Sequence, residues 1–192
     1  MNKVLYVDND KEYNLKENEF LEVYHFVIDK SVDVKINLNG EYAKVIYHLN
    51  IISSSDNNCK IDVRHLANNT QSTIICHGIN LQDNNLDFDI TTLVPQDIFK
   101  CVCNEENIII NLSNGKSTIK PNLLIRNFDA IANHSAYIGK FDDNKRFYLE
   151  SRGISKNKAT IMLVESLLID GCNKDEKIVK QFLKYLREIN YG

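Results

Sequence analysis

The chain has 192 residues, 23 basic against 26 acidic, for a net charge of −3. That length suits one domain able to bury a real core, and the charge balance excludes the basic field that nucleic acid demands. No run approaches the roughly 18 apolar residues of a membrane span, and the short apolar run behind Met1-Asn2-Lys3 does not make a signal peptide, so neither a membrane nor export is expected.

From Met1 to about Val94 the pattern is β throughout. Val4 to Val7 forms a first strand, closed by Asp8-Asn9-Asp10. Phe20 to Ile28 carries Leu21, Tyr24, Phe26 and Ile28, too large and too numerous to stay in water. Val32, Val34, Ile36 and Leu38 alternate with polar partners up to Asn39-Gly40, the mark of a half-buried strand. Tyr42 to Ile52 is mostly apolar and is expected to be covered on both faces. Similar units follow at Cys59 to Leu66, Thr73 to Leu81 and Leu86 to Leu93. The series continues through Ile98 to Cys103, Asn107 to Leu112 and Ser117 to Ile125. Regular short strands joined by Asn, Asp and Ser suit a sandwich, a barrel or a stacked solenoid, and periodicity alone leaves the three open.

A short apolar strand, Ala130 to Ala132, leads to Asn133-His134-Ser135, and the pattern then turns helical. Asp142 is placed to cap a helix holding Arg146 to Leu149 that stops at Gly153. Ser155 caps a second, with Ala159, Met162, Leu163, Ser166 and Leu167 on one face and Gly171 beyond its end. Asn173 with Glu176 has capping-box form, and Ile178, Phe182, Tyr185, Leu186 and Ile189 give an apolar stripe. Helices this short and one-sided must pack on the β-body or on a partner. The expected division is a β-solenoid core over 1–139 and a helical region over 140–192.

Pro121, Leu123, Ile125, Asp129, His134, Ala136, Gly139, Asp143, Phe147, Tyr148, Leu149, Ser151, Arg152, Gly153 and Ile154 follow one another in a fixed order without a gap. On those residues the chain resembles the SufB/SufD family, scaffold proteins of the SUF system of iron–sulfur cluster assembly. One position departs: Ala132 stands where the family signature has a cysteine two residues before the histidine. The resemblance implies a mainly β fold, a right-handed parallel β-helix-like (SufBD-type) solenoid core followed by a small C-terminal α-helical region. It implies a non-catalytic, SufD-like subunit that docks a SufC-type ABC ATPase through Phe147, Tyr148, Arg152, Gly153 and Ile154. It also implies that His134 faces a SufB-like partner where a transient Fe–S cluster forms at the subunit interface, with no tightly bound cofactor. The alanine at 132 favours this supporting role over that of a nucleating scaffold. A homodimer is also expected, because a shortened solenoid leaves strand edges and an open column end to cover.

Read without the family, His134 offers a nitrogen that titrates near neutrality and suits iron or zinc, or else caps a turn. Cys101 and Cys103, two apart on a strand, share a face; they hold a metal together or pack as small apolar groups. Adjacent Cys76 and His77 must face opposite ways. With Cys59 and Cys172 the cysteines number five, in no disulfide-framework spacing, so reduced thiols in the cytoplasm are expected. Asp62, Asp87 and Asp89 are either an acid pair of a β-helix carbohydrate-active hydrolase or lyase, or the solvated face of their strands. The sequence holds no Gly-rich phosphate loop, G-x-S-x-G, HExxH or CxxC, so an enzyme is not expected. The alternatives are that carbohydrate-active enzyme and a purely structural interaction module that has lost the cluster chemistry.

Overall fold

The computed structural model describes residues 2–9 and 11–189; Met1 and Asp10, at the start of the chain and in the first expected turn, lie outside the described residues. In chain order the strands are β1 (Asn2–Val7), β2 (Glu12–Leu15), β3 (Phe20–Ile28), β4 (Val32–Leu38), β5 (Lys44–Ser53), β6 (Asn57–His65), β7 (Gln71–Asn80), β8 (Asn85–Val94), β9 (Val102–Asn111), β10 (Lys116–Ile125) and β11 (Ile131–Gly139). The helices α1 (Asp143–Ser151), α2 (Lys156–Leu168) and α3 (Lys177–Glu188) follow.

Odd-numbered strands form one sheet and even-numbered strands the other, each in sequence order. Every neighbouring pair is parallel. A chain that changes sheet at every strand, with all strands of one sheet parallel, winds as a flattened β-solenoid, so the expected architecture is present. Its coils lengthen over the first four steps, and the last, from Val102 to Ile131, is 29 residues. Asn2 pairs with Phe20, Phe20 with Lys44, Lys44 with Gln71 and Gln71 with Val102, steps of 18, 24, 27 and 31 residues.

Alternation decides what fills the column between the sheets. Val45, Tyr47, Leu49 and Ile51 of β5 point inward, as do Cys59, Ile61 and Val63 of β6 and Leu86, Phe88 and Ile90 of β8, all essentially buried. Gly78 is inward too; a Cβ there would sit 2.8 Å from Phe88 and 2.9 Å from Leu86, so the glycine makes room for the ring. At one corner the turns are tied to each other. Asp29 accepts from the Ser54 and Ser55 backbone N–H groups (2.9 and 2.8 Å), Asp56 from that of Asn85 (2.8 Å) and Asp83 from that of Asn114 (2.9 Å). Each acid thus holds the corner of the following coil.

The outer face of the odd-numbered sheet is covered by α2 and α3. Tyr24, Phe26, Ile52, Ile79 and Ile110 pack there against Val164, Leu168, Val179, Phe182 and Leu186, with the Phe26 and Phe182 rings 5.0 Å apart. This is why β5 and β9 end in continuous apolar runs, and it bears out cover on both faces for the second half of β5. No helix of the described residues is long and apolar enough to cross a membrane.

Several boundaries differ from the expectation. The short β2 carried too few apolar residues to be seen. Tyr42 has φ +60, so that strand begins at Lys44. The two strands expected at Ile98 to Cys103 and Asn107 to Leu112 are one, β9: its polar centre, Asn104-Glu105-Glu106-Asn107, reads as a connection but is hydrogen-bonded between β7 and β11. The strand expected at Ala130 to Ala132 runs to Gly139. Asp142 caps α1 as expected, accepting from the Asn144 N–H at 2.9 Å, and Gly153 (φ +83) follows the C-cap. Ser155 is at the N-cap of α2 but makes no side-chain cap hydrogen bond. Helix α3 starts behind Glu176, and Asn173 accepts instead from the Asp175 N–H, so the capping box is not formed. On α2 the buried face is Ala159, Thr160, Val164 and Leu168, while Met162 is exposed.

Candidate functional site

The C-terminal end of the solenoid is open. Strands β10 and β11 each lack a further neighbour among the described residues, and the inward row of the last coil meets solvent rather than another coil. His134 lies at the centre of β11, exposed, in a strand rather than a turn. Its register partner is Glu105 of β9; Ala132 pairs with Cys103 and Ala136 with Asn107. In-register parallel neighbours point the same way, so these six residues all belong to the column end.

Directly beneath β11 the column changes character. Glu105 is 4% exposed and Asn107 fully buried. The Thr92 hydroxyl of β8 reaches across the column and donates to Glu105 Oε1 at 2.7 Å. Glu105 Oε2 and both side-chain atoms of Asn107 have no hydrogen-bond partner among the described residues. Each such group costs on the order of 1–3 kcal/mol when buried unsatisfied. Burial raises the Glu105 carboxyl above its ordinary value, against the opposing pull of the Thr92 hydrogen bond and of His134.

The cysteines expected to share a face lie close by and are fully buried. Cys103 is in β9, Cys101 in the turn before it. Cys101 Sγ is 3.3 Å from the Thr70 hydroxyl, and Cys103 Sγ is 3.4 Å from His65 Nε2. His65 also has its Nδ1 2.7 Å from Thr70 Oγ1 and its Nε2 2.9 Å from Ser72 Oγ. Burial pushes the Cys103 thiol up to about 12 and the His65 imidazole down to about 4. This is a satisfied, neutral network, and among the described residues no three His, Cys, Asp or Glu side chains are grouped to hold a metal. Cys76 and His77 divide as expected. Cys76 is inside; His77 is outside, its Nδ1 donating to the Leu167 carbonyl of α2 and its Nε2 3.0 Å from Glu106.

The residues expected to meet a partner sit on α1 and just after it. No residue of α1 is buried; Phe147 is 70% and Tyr148 56% exposed. The Arg152 guanidinium lies 4.8 Å above the Tyr148 ring and donates to its hydroxyl at 2.9 Å. Ile154 is half-buried, and Gly153 has open space around it. An open apolar depression of about 380 Å³ lies between α1 and α2, lined by Asn144, Lys145, Tyr148, Leu149 and Leu163. On the far sheet, Asp62 is held by Arg64 at 3.0 Å and Asp89 accepts from Asn122 at 3.1 Å.

Sequence reasoning missed Glu105 and Asn107. The signal was present, since a polar quartet interrupts an otherwise apolar strand, but polar residues there read equally as a loop.

The fold is thus of the two-sheet parallel β-solenoid class, with a helical tail and a histidine exposed at its open end. The family model of the SUF system FeS cluster assembly, SufBD core domain, matches residues 9–167, and the chain belongs to that family. Among curated proteins, the iron–sulfur cluster assembly protein SufD of Bacillus subtilis (strain 168) is 25% identical over 118 residues, 61% of this chain. The match spans 27% of that relative's length.

Proposed function

We propose that this chain is a SufD-like, non-catalytic subunit of SUF iron–sulfur cluster assembly in the cytoplasm. It docks a SufC-type ATPase through Phe147, Tyr148, Arg152, Gly153 and Ile154. A SufB-like partner or a second copy covers the open end, and a transient cluster forms at that interface beside His134. Nucleotide-driven motion of the ATPase passes through the helices to the solenoid and reshapes the interface.

The state of α1 carries this reading. A nine-residue helix is too short to persist on its own propensity, yet α1 buries none of its side chains. It holds two large aromatics in water, and exposed apolar surface of this kind marks a protein-binding face. The family membership supplies the kind of partner.

The test is co-purification and size-exclusion chromatography with the SufC-type ATPase of the same organism. Wild type is expected to form a complex that Arg152→Glu abolishes while the variant stays folded, because Arg152 is exposed and, among the described residues, its side chain hydrogen-bonds within its own helix turn. No complex at any concentration would overturn the docking reading.

A further inference from the structure

Two Asn-Gly pairs sit in corner turns, Asn39-Gly40 and Asn114-Gly115, and the fold treats them differently. The Asn39 carboxamide is tied down: its Nδ2 donates to Asn14 Oδ1 of the first coil at 3.2 Å, beside Asn37, which donates to the same oxygen at 3.0 Å. The Asn114 side chain is exposed and makes no hydrogen bond among the described residues, and neither does the Gly115 N–H. The groups on either side are fixed. Ser113 Oγ and the Asn114 N–H both donate to Asp83 Oδ1, at 2.6 and 2.9 Å, and the Lys116 N–H donates to the Asn84 carbonyl at 3.1 Å. Packing requires glycine at 115, since a Cβ there would run into the Asn80 amide and sit 2.6 Å from the Gln82 carbonyl oxygen.

We propose that Asn114 is a site of spontaneous covalent modification, deamidation through a succinimide, and that the fold selects it over Asn39. The Gly115 backbone nitrogen attacks Asn114 Cγ. An N–Cγ bond forms, the Cγ–Nδ2 bond breaks, and the amide leaves as ammonia, carrying away the proton of the Gly115 N–H. Water then opens the ring at one of its two carbonyls, leaving aspartate or, with the chain rerouted through Cβ, isoaspartate. Only water is consumed, and nothing is oxidised or reduced. The missing Cβ at 115 lets the nitrogen approach, and the two reacting groups are those that the turn leaves without partners. Either product sets a new carboxylate beside Asp83, a like-charge contact where an amide stood. Isoaspartate also adds a backbone atom between β9 and β10, just before the bond from Lys116 to Asn84 that starts β10. That strand is the last of its sheet, so the disturbance falls on the final coil, which has no further coil among the described residues to hold it.

The test is incubation of the purified full chain at mildly alkaline pH in water labelled with heavy oxygen. Peptide mass spectrometry and labelling with a protein isoaspartyl methyltransferase follow the products. In the folded chain Asn114 is expected to convert about fivefold faster than Asn39, corresponding to the one hydrogen bond that must open at Asn39. In urea the two rates are expected to converge. Asn114→Gln, an exposed change, should remove the label from that peptide and leave the thermal midpoint near wild type. The isoaspartate form, separated by ion exchange, is expected to exchange the amide hydrogens at the start of β10 faster than the unmodified chain. No conversion at Asn114 in the folded chain would overturn the site. Equal rates in the folded chain, or a preference that persists in urea, would overturn selection by the fold. Unchanged exchange in β10 would overturn the effect on the last coil.

Discussion

The middle of the solenoid and its C-terminal end share register rows but not chemistry. One row runs Val23, Tyr47, Ile74, Glu105, His134; the next runs Leu49, Cys76, Asn107, Ala136. In the middle coils these rows are mostly apolar, because there all their surface is removed from water; the exception is buried His25, the register partner of Leu49. One coil from the open end the rows turn polar while still buried, and in the last coil they carry an exposed histidine. The difference separates coils packed on both sides from a last coil packed on one.

That contrast can be broken in order of expected effect. Phe88→Ala, in the middle, should cost about 4 kcal/mol, since it empties a packed site beside Gly78; the same truncation at fully exposed Phe128 should move the urea midpoint by almost nothing. Comparable losses from both would show that the turn between β10 and β11 is packed as tightly as the middle of the column.

Acid should act next. His65 is held neutral by burial, from an ordinary 6.5 down to about 4. Between those values the unfolded chain takes up a proton that the folded chain refuses. Stability therefore falls as pH drops through that window, by up to about 3 kcal/mol. A His65→Gln variant should lose most of that slope in denaturation curves taken from pH 7 to pH 4.

The corner turns should give a smaller effect. Burial pulls the Asp29 carboxyl up, but hydrogen bonds from the Ser54 and Ser55 hydroxyl and backbone groups outweigh it and hold the group below its ordinary value. Its contribution is present at neutral pH and is lost as pH falls through the lowered value. Asp29→Ala should cost about 1 kcal/mol, because the N–H groups it satisfies can turn to water. The smallest change is expected at the open edge, where Ile138→Lys should alter monomer stability by less than about 0.5 kcal/mol.

Much of this was legible in the chain. The alternation in Val32 to Leu38 and Leu86 to Leu93 gave strands and inward faces, and Gly153 and Asp142 gave the bounds of α1. The residues from Pro121 to Ile154 gave the family resemblance and marked His134. The exposure of the α1 aromatics was not legible from the residues alone, since Phe147 and Leu149 read equally as core; only the resemblance pointed to a surface there. Glu105 and Asn107 were not legible, since a polar quartet inside a strand looks like a turn until its neighbours are known.

By itself, then, the sequence determined local matters: which residues extend, which face of each strand is apolar, where helices begin and stop. These depend on side-chain periodicity and on backbone preferences within a few residues. The tertiary structure alone decided which strands lie side by side, because parallel pairing joins residues 18 to 31 positions apart and nothing local encodes the register. That register is what sets a buried carboxylate and amide beneath His134. The same long-range winding leaves the last coil uncovered and α1 without a core of its own.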